Sequence, residues 1–190
     1  MSGRVTYRHN PADKFIVGTI GEPGSRQFFL QFSSSSGINT VAIEKEQLMA
    51  LVERFEELIR ELKRKKLASD KELFSPSVKL ESNLDFPIEE DFRAGVMGIT
   101  WEPEEESVSL EVQEISDQQE FTDLIQIDSD TSDFEYPPEI LQATLKISQI
   151  RGFISLADRV ISAGRELCPF CGLPVNPGGH LCPRANGYKR

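Results

Sequence analysis

The spacing of hydrophobic residues along this chain changes twice from a period of two to a period of about 3.6, which predicts strands followed by a helix at two places. The pattern Phe-x-x-Gly-x-x-Gly begins at Phe15 and again at Phe92. Each copy opens a predicted β-hairpin, because alternating apolar and polar residues around a turn are typical of paired strands. A third predicted strand follows each hairpin, over residues 39–43 in the first copy and 141–147 in the second.

An amphipathic helix follows the third strand in both copies. Its apolar residues recur at helical spacing, so they share one face. Gln47 and Gln149 hold the same position near the two helix starts. We therefore predict an α+β fold of two pseudo-repeated β-β-β-α units that form antiparallel sheet with packed helices. The apolar face comprises Leu48, Leu51, Val52, Phe55, Leu58, Ile59 and Leu62 in the first helix, over residues 45–66, and Ile150, Phe153, Ile154, Ala157, Val160 and Ile161 in the second.

Composition divides the chain into four predicted parts. Residues 1–66 hold the first β-β-β-α unit, and residues 92–164 hold the second, which carries an acidic insertion. A linker over residues 67–91 joins them, and residues 165–190 form a zinc-binding tail. Four large apolar residues predict that the linker packs against the units: Leu73, Phe74, Leu84 and Phe86.

Charge is distributed unevenly along the 190 residues, of which 31 are acidic and 21 basic. Fourteen of the acidic residues fall in the segment 102–139, so the remainder of the chain has a net charge of +4 although the whole chain has −10. The overall acidity argues against a protein that coats nucleic acid, since such a protein needs a basic face to neutralise phosphates. Nucleic-acid binding through the basic residues 63–66 or through the basic tail stays open as an alternative.

No segment has the ~18 consecutive apolar residues of a membrane span, and the first residues lack the apolar run of a secretory signal. We therefore expect a cytoplasmic protein without membrane contact. A reducing compartment and an odd number of cysteines both argue against disulfides.

The three cysteines and one of the two histidines lie close together near the end of the chain, as Cys168, Cys171, His180 and Cys182. Cys-x-x-Cys places two thiolates on one turn, and the Asn-Pro-Gly-Gly reversal at 176–179 brings His-x-Cys back toward them. We predict a structural Zn²⁺ site with these four ligands, which leaves no open position for a substrate. A redox Cys-x-x-Cys of the thioredoxin type is the alternative.

Three further patterns are explained by structure alone and predict no functional site. The glycines of residues 18–24 precede a strand, so they punctuate a hairpin and do not cradle a phosphate at a helix start. Residues 128–139 follow a calcium-loop spacing, but Asp133 stands where the sharp turn requires glycine. His9 lies in a polar N-terminal arm and is predicted to be solvated, so no base for a catalytic set is visible.

Three stretches of the chain carry a family likeness: FIVGTIGEPGSRQFFLQ, VAIEKEQLMALVERFEELI and AGRELCPFCGLPVNPGGHLCPRANGYKR. In these stretches the chain resembles a bacterial, chiefly actinobacterial, family of conserved hypothetical proteins that is classed as a domain of unknown function. The most specific part is the terminal signature CPxCGxP…GHxCPRxNGY, which contains all four predicted zinc ligands. The resemblance implies no established activity. It implies protein partners, because such proteins tend to be encoded near a histidine-phosphatase-like and a kinase-like protein.

The absence of a visible catalytic set favours a non-catalytic binding or adaptor protein whose zinc-holding tail supports a surface for a partner. The alternative is an enzyme that acts on a phosphorylated metabolite in a cleft between the two units. Arg26, Arg93 or Arg151 would then clamp the anion.

Overall fold

The computed structural model describes residues 6–80, 83–115, 138–164, 168–173, 175 and 179–184. The strands within these ranges are β1 (Thr6–His9), β2 (Lys14–Ile20), β3 (Gln27–Ser34), β4 (Gly37–Ile43), β5 (Phe92–Glu102), β6 (Ser107–Glu114) and β7 (Ile140–Leu145). The helices are α1 (Lys45–Lys65), α2 (Asp70–Leu73) and α3 (Ile147–Ser162). The strands form one sheet in the order β1-β7-β6-β5-β4-β3-β2. No helix in the described ranges is both long and apolar enough to cross a bilayer.

The order of three strands and a helix occurs twice, as β2-β3-β4-α1 and as β5-β6-β7-α3. The predicted α+β class is therefore confirmed, while an internal duplication stays a prediction. The sheet is mixed, whereas the alternating pattern predicted antiparallel sheet: β4 pairs with β5 in parallel, and so does β1 with β7. Parallel neighbours need a crossover connection, which α1 and the segment after it supply between β4 and β5.

The sheet opens where β4 and β5 meet. Among the described residues these strands pair only at 41–42 with 92–93, and β4 then leads into α1. The Gln47 side chain lies at this opening and donates hydrogen bonds to the carbonyl oxygens of Ala94 (3.0 Å) and Gly95 (3.1 Å). The first turn of α1 is thereby tied to the strand of the other β-β-β-α unit.

Gln149 makes corresponding contacts at the start of α3. Its amide nitrogen donates to the carbonyl oxygen of Ala12 at 2.8 Å, and its amide oxygen accepts the backbone N–H of Lys146 at 2.8 Å. The amide oxygen of Gln47 likewise accepts the backbone N–H of Glu44 at 2.9 Å. Both glutamines thus satisfy a backbone donor left free at a helix N-terminus and connect the helix to a second segment.

The centre of the core is a group of three aromatic rings from β2, α1 and α3. The ring of Phe153 stacks on that of Phe15 with centroids 4.1 Å apart, and meets the edge of Phe55 at 5.9 Å. All three side chains are fully buried. The predicted apolar faces of both helices point toward this core, with Leu58, Ile154 and Ile161 only partly buried at its margin. The helix predictions are therefore confirmed.

The linker packs against the rest of the chain through two of its four large apolar residues. Leu73 and Leu84 are buried, whereas Phe74 and Phe86 are exposed. Leu73 lies in α2, and Leu84 covers Gly18 of β2 so closely that a Cβ atom there would lie 2.5 Å from the leucine Cγ. The prediction that the linker packs is correct for the leucines and wrong for the phenylalanines.

The linker also crosses α3 at close range. The backbone N–H of Val78 donates to the carbonyl oxygen of Ser148 at 3.2 Å. A Cβ atom on Gly152 would lie 2.2 Å from the carbonyl oxygen of Val78, so this contact requires glycine in the helix.

Candidate metal centre

The four residues predicted as zinc ligands come together in the structure. The ligand atoms of Cys168, Cys171, His180 and Cys182 all lie within 4.8 Å of one another. The Sγ atoms of Cys168 and Cys182 are 3.8 Å apart, and Nε2 of His180 lies 3.2 Å from Sγ of Cys171. Cys168 and Cys182 are buried, and the other two are half-buried.

A tight turn brings the first two cysteines to the same point. The carbonyl oxygen of Cys168 accepts the backbone N–H of Gly172 at 2.8 Å, and the N–H of Cys168 donates to the carbonyl oxygen of Leu173 at 2.8 Å. Gly172 has a φ of 72°, in the left-handed region that glycine adopts without strain. The cysteines lie on this turn and not on the first turn of a helix, where a thioredoxin-type redox pair would be expected.

Backbone donors of the same turn point toward the sulfur atoms. Burial disfavours the thiolate of Cys168, but hydrogen bonds from the N–H groups of Cys171 and Phe170 and from the thiols of Cys171 and Cys182 together outweigh it, so the pKa of Cys168 is lowered. At Cys171 the N–H of Leu173 favours the thiolate. Burial and the neighbouring sulfurs of Cys168 and Cys182 outweigh this donor, and the pKa of Cys171 is raised. Sulfurs so close together repel one another when ionised, and a divalent cation among them would remove that repulsion.

The spacing of the ligand atoms approaches that of a tetrahedral zinc site, with the Cys168 and Cys182 sulfurs at 3.8 Å and Nε2 of His180 closer to the Cys171 sulfur, at 3.2 Å. With Zn–S bonds of about 2.3 Å and Zn–N bonds of about 2.0–2.1 Å, tetrahedral ligand atoms lie roughly 3.5–3.8 Å apart. A disulfide would require two Sγ atoms at about 2.05 Å, and all three cysteines are free. His180 turns Nε2 toward the sulfurs, while its Nδ1 is buried without a hydrogen-bond partner among the described residues. The four residues are therefore positioned to hold a metal ion, consistent with zinc.

Four protein ligands determine what such a centre can do. A zinc ion with four protein ligands has no position for water or substrate, so it stabilises a fold and does not activate a nucleophile. Because the ligands come from two short stretches, the ion would hold these stretches together.

Comparison with known proteins identifies the family. The model of the family described as "Protein of unknown function (DUF3090)" matches residues 7–182. The chain belongs to this family. No curated protein and no solved structure matches it. The match covers the sheet, the helices and all four metal-ligand candidates of this DUF3090 chain, in agreement with the resemblance to a domain of unknown function.

His9 lies in a different environment from the one predicted. Its side chain is fully buried, with Nδ1 2.9 Å from Oγ of Ser34 and Nε2 3.0 Å from Oδ1 of Asn39. The imidazole stacks on the ring of Phe32 with centroids 5.9 Å apart. The prediction of a solvated histidine is wrong, because β1 lies against the end of the β3–β4 hairpin and residues distant in sequence cover the ring.

The burial of His9 predicts that acid destabilises the fold. Burial lowers the pKa of His9 below its ordinary value of 6.5, although the hydrogen bond to Oδ1 of Asn39 and the charge of Asp91 act in the opposite direction. As the pH falls below 6.5, the unfolded chain therefore binds a proton at His9 that the folded chain does not, and the free energy of unfolding decreases. One such group contributes at most about 1.4 kcal/mol per pH unit.

We expect urea midpoints of the zinc-loaded chain to fall between pH 7.5 and 5.5, and H9Q to reduce this slope. Glutamine retains a donor and an acceptor for Ser34 and Asn39 but does not titrate. His180 is present in both chains, so the difference between their pH profiles isolates His9. Parallel profiles would show that His9 does not titrate differently on unfolding.

The three arginines predicted as anion clamps occupy two separate places. Arg26 and Arg93 line one pocket. Arg151 is used elsewhere, because its guanidinium donates to the carbonyl oxygen of Leu73 at 3.1 Å and to Oγ of Ser75 at 3.4 Å. Arg151 therefore connects α3 with the linker.

The other basic and acidic candidates form no cluster that could serve as a site within the ranges that the structure describes. Two of the basic residues 63–66 have partners within the described chain: Lys63 lies over the ring of Phe74 at 5.8 Å, and Lys65 pairs with Glu61. Nucleic-acid binding at this end of α1 stays a prediction. Of the calcium-loop pattern, residues 128–133 lie outside the described residues, and Glu139 accepts the Tyr7 hydroxyl at 3.0 Å.

Three apolar side chains beside the metal-ligand candidates were not predicted from the sequence as functional. Phe170, Leu173 and Leu181 are exposed to 44%, 50% and 72%, respectively. Their positions next to Cys171, Gly172 and Cys182 were visible in the sequence, but their exposure depends on how the turn folds.

Proposed function

We propose that this DUF3090 chain is a non-catalytic, cytoplasmic binding protein whose C-terminal segment, organised by a structural zinc ion, contacts a protein partner. One observation carries the proposal: large apolar side chains face solvent beside four converging ligand atoms, which would fill the coordination sphere of a zinc ion. The metal would act on the shape of this surface and not on a reaction.

The exposed side chains supply the contact surface, which we call the knuckle surface and define as Phe170, Leu173 and Leu181. Grouped apolar side chains on a short segment are a feature of interaction sites, because covering them on binding is favourable. The Arg184 guanidinium donates to the carbonyl oxygen of Phe170 at 3.2 Å, so a cation lies beside the surface. Aromatic and arginine side chains are the residue types that most often dominate binding energy.

The proposal is tested with the zinc-loaded full-length chain as bait. A partner is first identified by cross-linking, and its affinity is then measured with purified protein. We expect F170S and L181S each to weaken binding at least tenfold, which corresponds to about 1.4 kcal/mol or more.

F74S is the matched control, because Phe74 is 69% exposed but lies in the linker. It is expected to bind the partner as tightly as the unmodified chain. Chelation of zinc should abolish the interaction. Unchanged affinity in F170S and L181S with zinc retained, or unchanged affinity after chelation, would refute the proposed role of the knuckle surface.

A further inference from the structure

A pocket lies at the opening of the sheet, between β4 and β5. Its volume is about 270 Å³, and both β-β-β-α units contribute to its walls. Arg26, Phe28 and Gln47 come from the first unit, and Arg93 and Ile115 come from the second. Pockets for drug-sized ligands have volumes of about 300–1,000 Å³, so this pocket suits a smaller molecule.

The two arginines of this pocket have unused hydrogen-bonding capacity. Arg26 is half-buried and makes no hydrogen bond or ion pair with any described residue. Arg93 approaches Glu44 at 4.0 Å and Glu90 at 3.9 Å, at the outer limit of an ion pair and beyond hydrogen-bonding distance. Neither guanidinium therefore has a carboxylate at hydrogen-bonding distance among the described residues, and both have donors free for a ligand.

The chemistry of the two side chains indicates the ligand. A guanidinium presents several N–H donors in a rigid plane, and it matches a carboxylate or a phosphate through paired hydrogen bonds. One guanidinium can pair with both oxygens of a carboxylate. A phosphate group has further oxygens that can accept hydrogen bonds from a second guanidinium. Phe28, Ala42 and Ile115 supply apolar wall for the rest of a small molecule.

We propose that the pocket between β4 and β5 binds a small phosphate-bearing ligand, with Arg26 and Arg93 as the phosphate-binding residues. This site is separate from the knuckle surface and does not depend on the proposed adaptor role. Glu44 also lines the pocket, and its carboxylate near Arg93 repels a dianion. The removal of this one charge therefore strengthens binding.

Inorganic phosphate is the probe, titrated by calorimetry into the zinc-loaded full chain at pH 7.5 and constant ionic strength. We expect saturable binding in the millimolar range or tighter. R26Q and R93Q should each weaken it at least tenfold, and E44Q should strengthen it severalfold. Amide chemical shifts in an NMR titration should change most at Gln47 and Ile115, which line the pocket.

R54Q provides the matched control, since Arg54 lies on the exposed side of α1 and pairs with Glu57 at 2.8 Å. It removes the same charge outside the pocket and should leave phosphate affinity unchanged. Absence of saturation, or an equal loss in R54Q and R26Q, would overturn the site. Acetate binding as tightly as phosphate would overturn the assignment to phosphate.

Discussion

We expect the variant H180A to bind less than half a zinc ion per chain and the unmodified chain to bind one. His180 supplies the single nitrogen ligand atom of the centre, and the remaining three sulfurs would leave the ion open to water and chelators. Because the ligands come from two short stretches that the ion would hold together, loss of the ion should unfold the stretches that carry Cys168, Cys171, His180 and Cys182. Zinc is measured by mass spectrometry of metals after dialysis, and the unfolding by amide NMR.

The chain contains a matched control for this experiment, because its second histidine lies in the core of the sheet. H9Q removes an imidazole without touching the four ligands, so it should retain one zinc per chain at pH 7.5. The buried apolar residues around Phe15 and Phe153 are separate from the metal-ligand candidates, so the sheet and helices should stay folded in H180A. Full zinc content in H180A, or a C-terminal segment that keeps its fold in chelator, would contradict a structural zinc site.

The variant F153A is expected to lower the free energy of unfolding by about 3–5 kcal/mol, the usual cost of removing a buried phenyl ring. Phe153 contacts Phe15 of β2 and Phe55 of α1, so one substitution removes contacts among three elements. Single domains have a total stability of about 5–15 kcal/mol, and this loss is therefore a large share of it. Urea unfolding followed by circular dichroism measures the change.

F74A is the control for this substitution, since Phe74 is exposed and its ring contacts only the end of the Lys63 side chain among the interactions described. It should change the stability by no more than about 0.5 kcal/mol. A loss below about 1 kcal/mol in F153A would show that the three rings are not the centre of the core.

The helix faces could be predicted from the sequence because helical periodicity is a local property. A residue's neighbours on a helix face lie three and four positions away, so the apolar stripe of α1 is visible without any knowledge of the sheet. The matching positions of Gln47 and Gln149 near the two helix starts could also be read from the sequence. Their hydrogen bonds could not be predicted, because the acceptors are carbonyl groups of Ala94, Gly95 and Ala12, which only the fold brings close to them.

Burial of isolated residues was not predictable in the same way. His9 stands in a polar stretch, and only the fold, which lays the end of β1 against the β3–β4 hairpin, places it against Ser34 and Asn39. In the linker, Leu84 is buried and Phe86 is exposed although both are large and apolar. Hydrophobicity indicates that burial of a side chain would be favourable, but the path of the backbone decides which side chain is buried.

The sequence by itself determined the chemistry of the metal-ligand set and the order of strands and helix in the two β-β-β-α units, but not β1 or α2. Ligand type, spacing and a glycine-rich reversal are properties of a short stretch, so they identify Cys168, Cys171, His180 and Cys182 before any coordinates are known. Only the tertiary structure decided that the sheet opens between β4 and β5 and that Arg26 and Arg93 share a pocket there while Arg151 does not. The physical reason is that strand pairing and pocket formation join residues far apart in the chain, and a local pattern carries no information about which of them will meet.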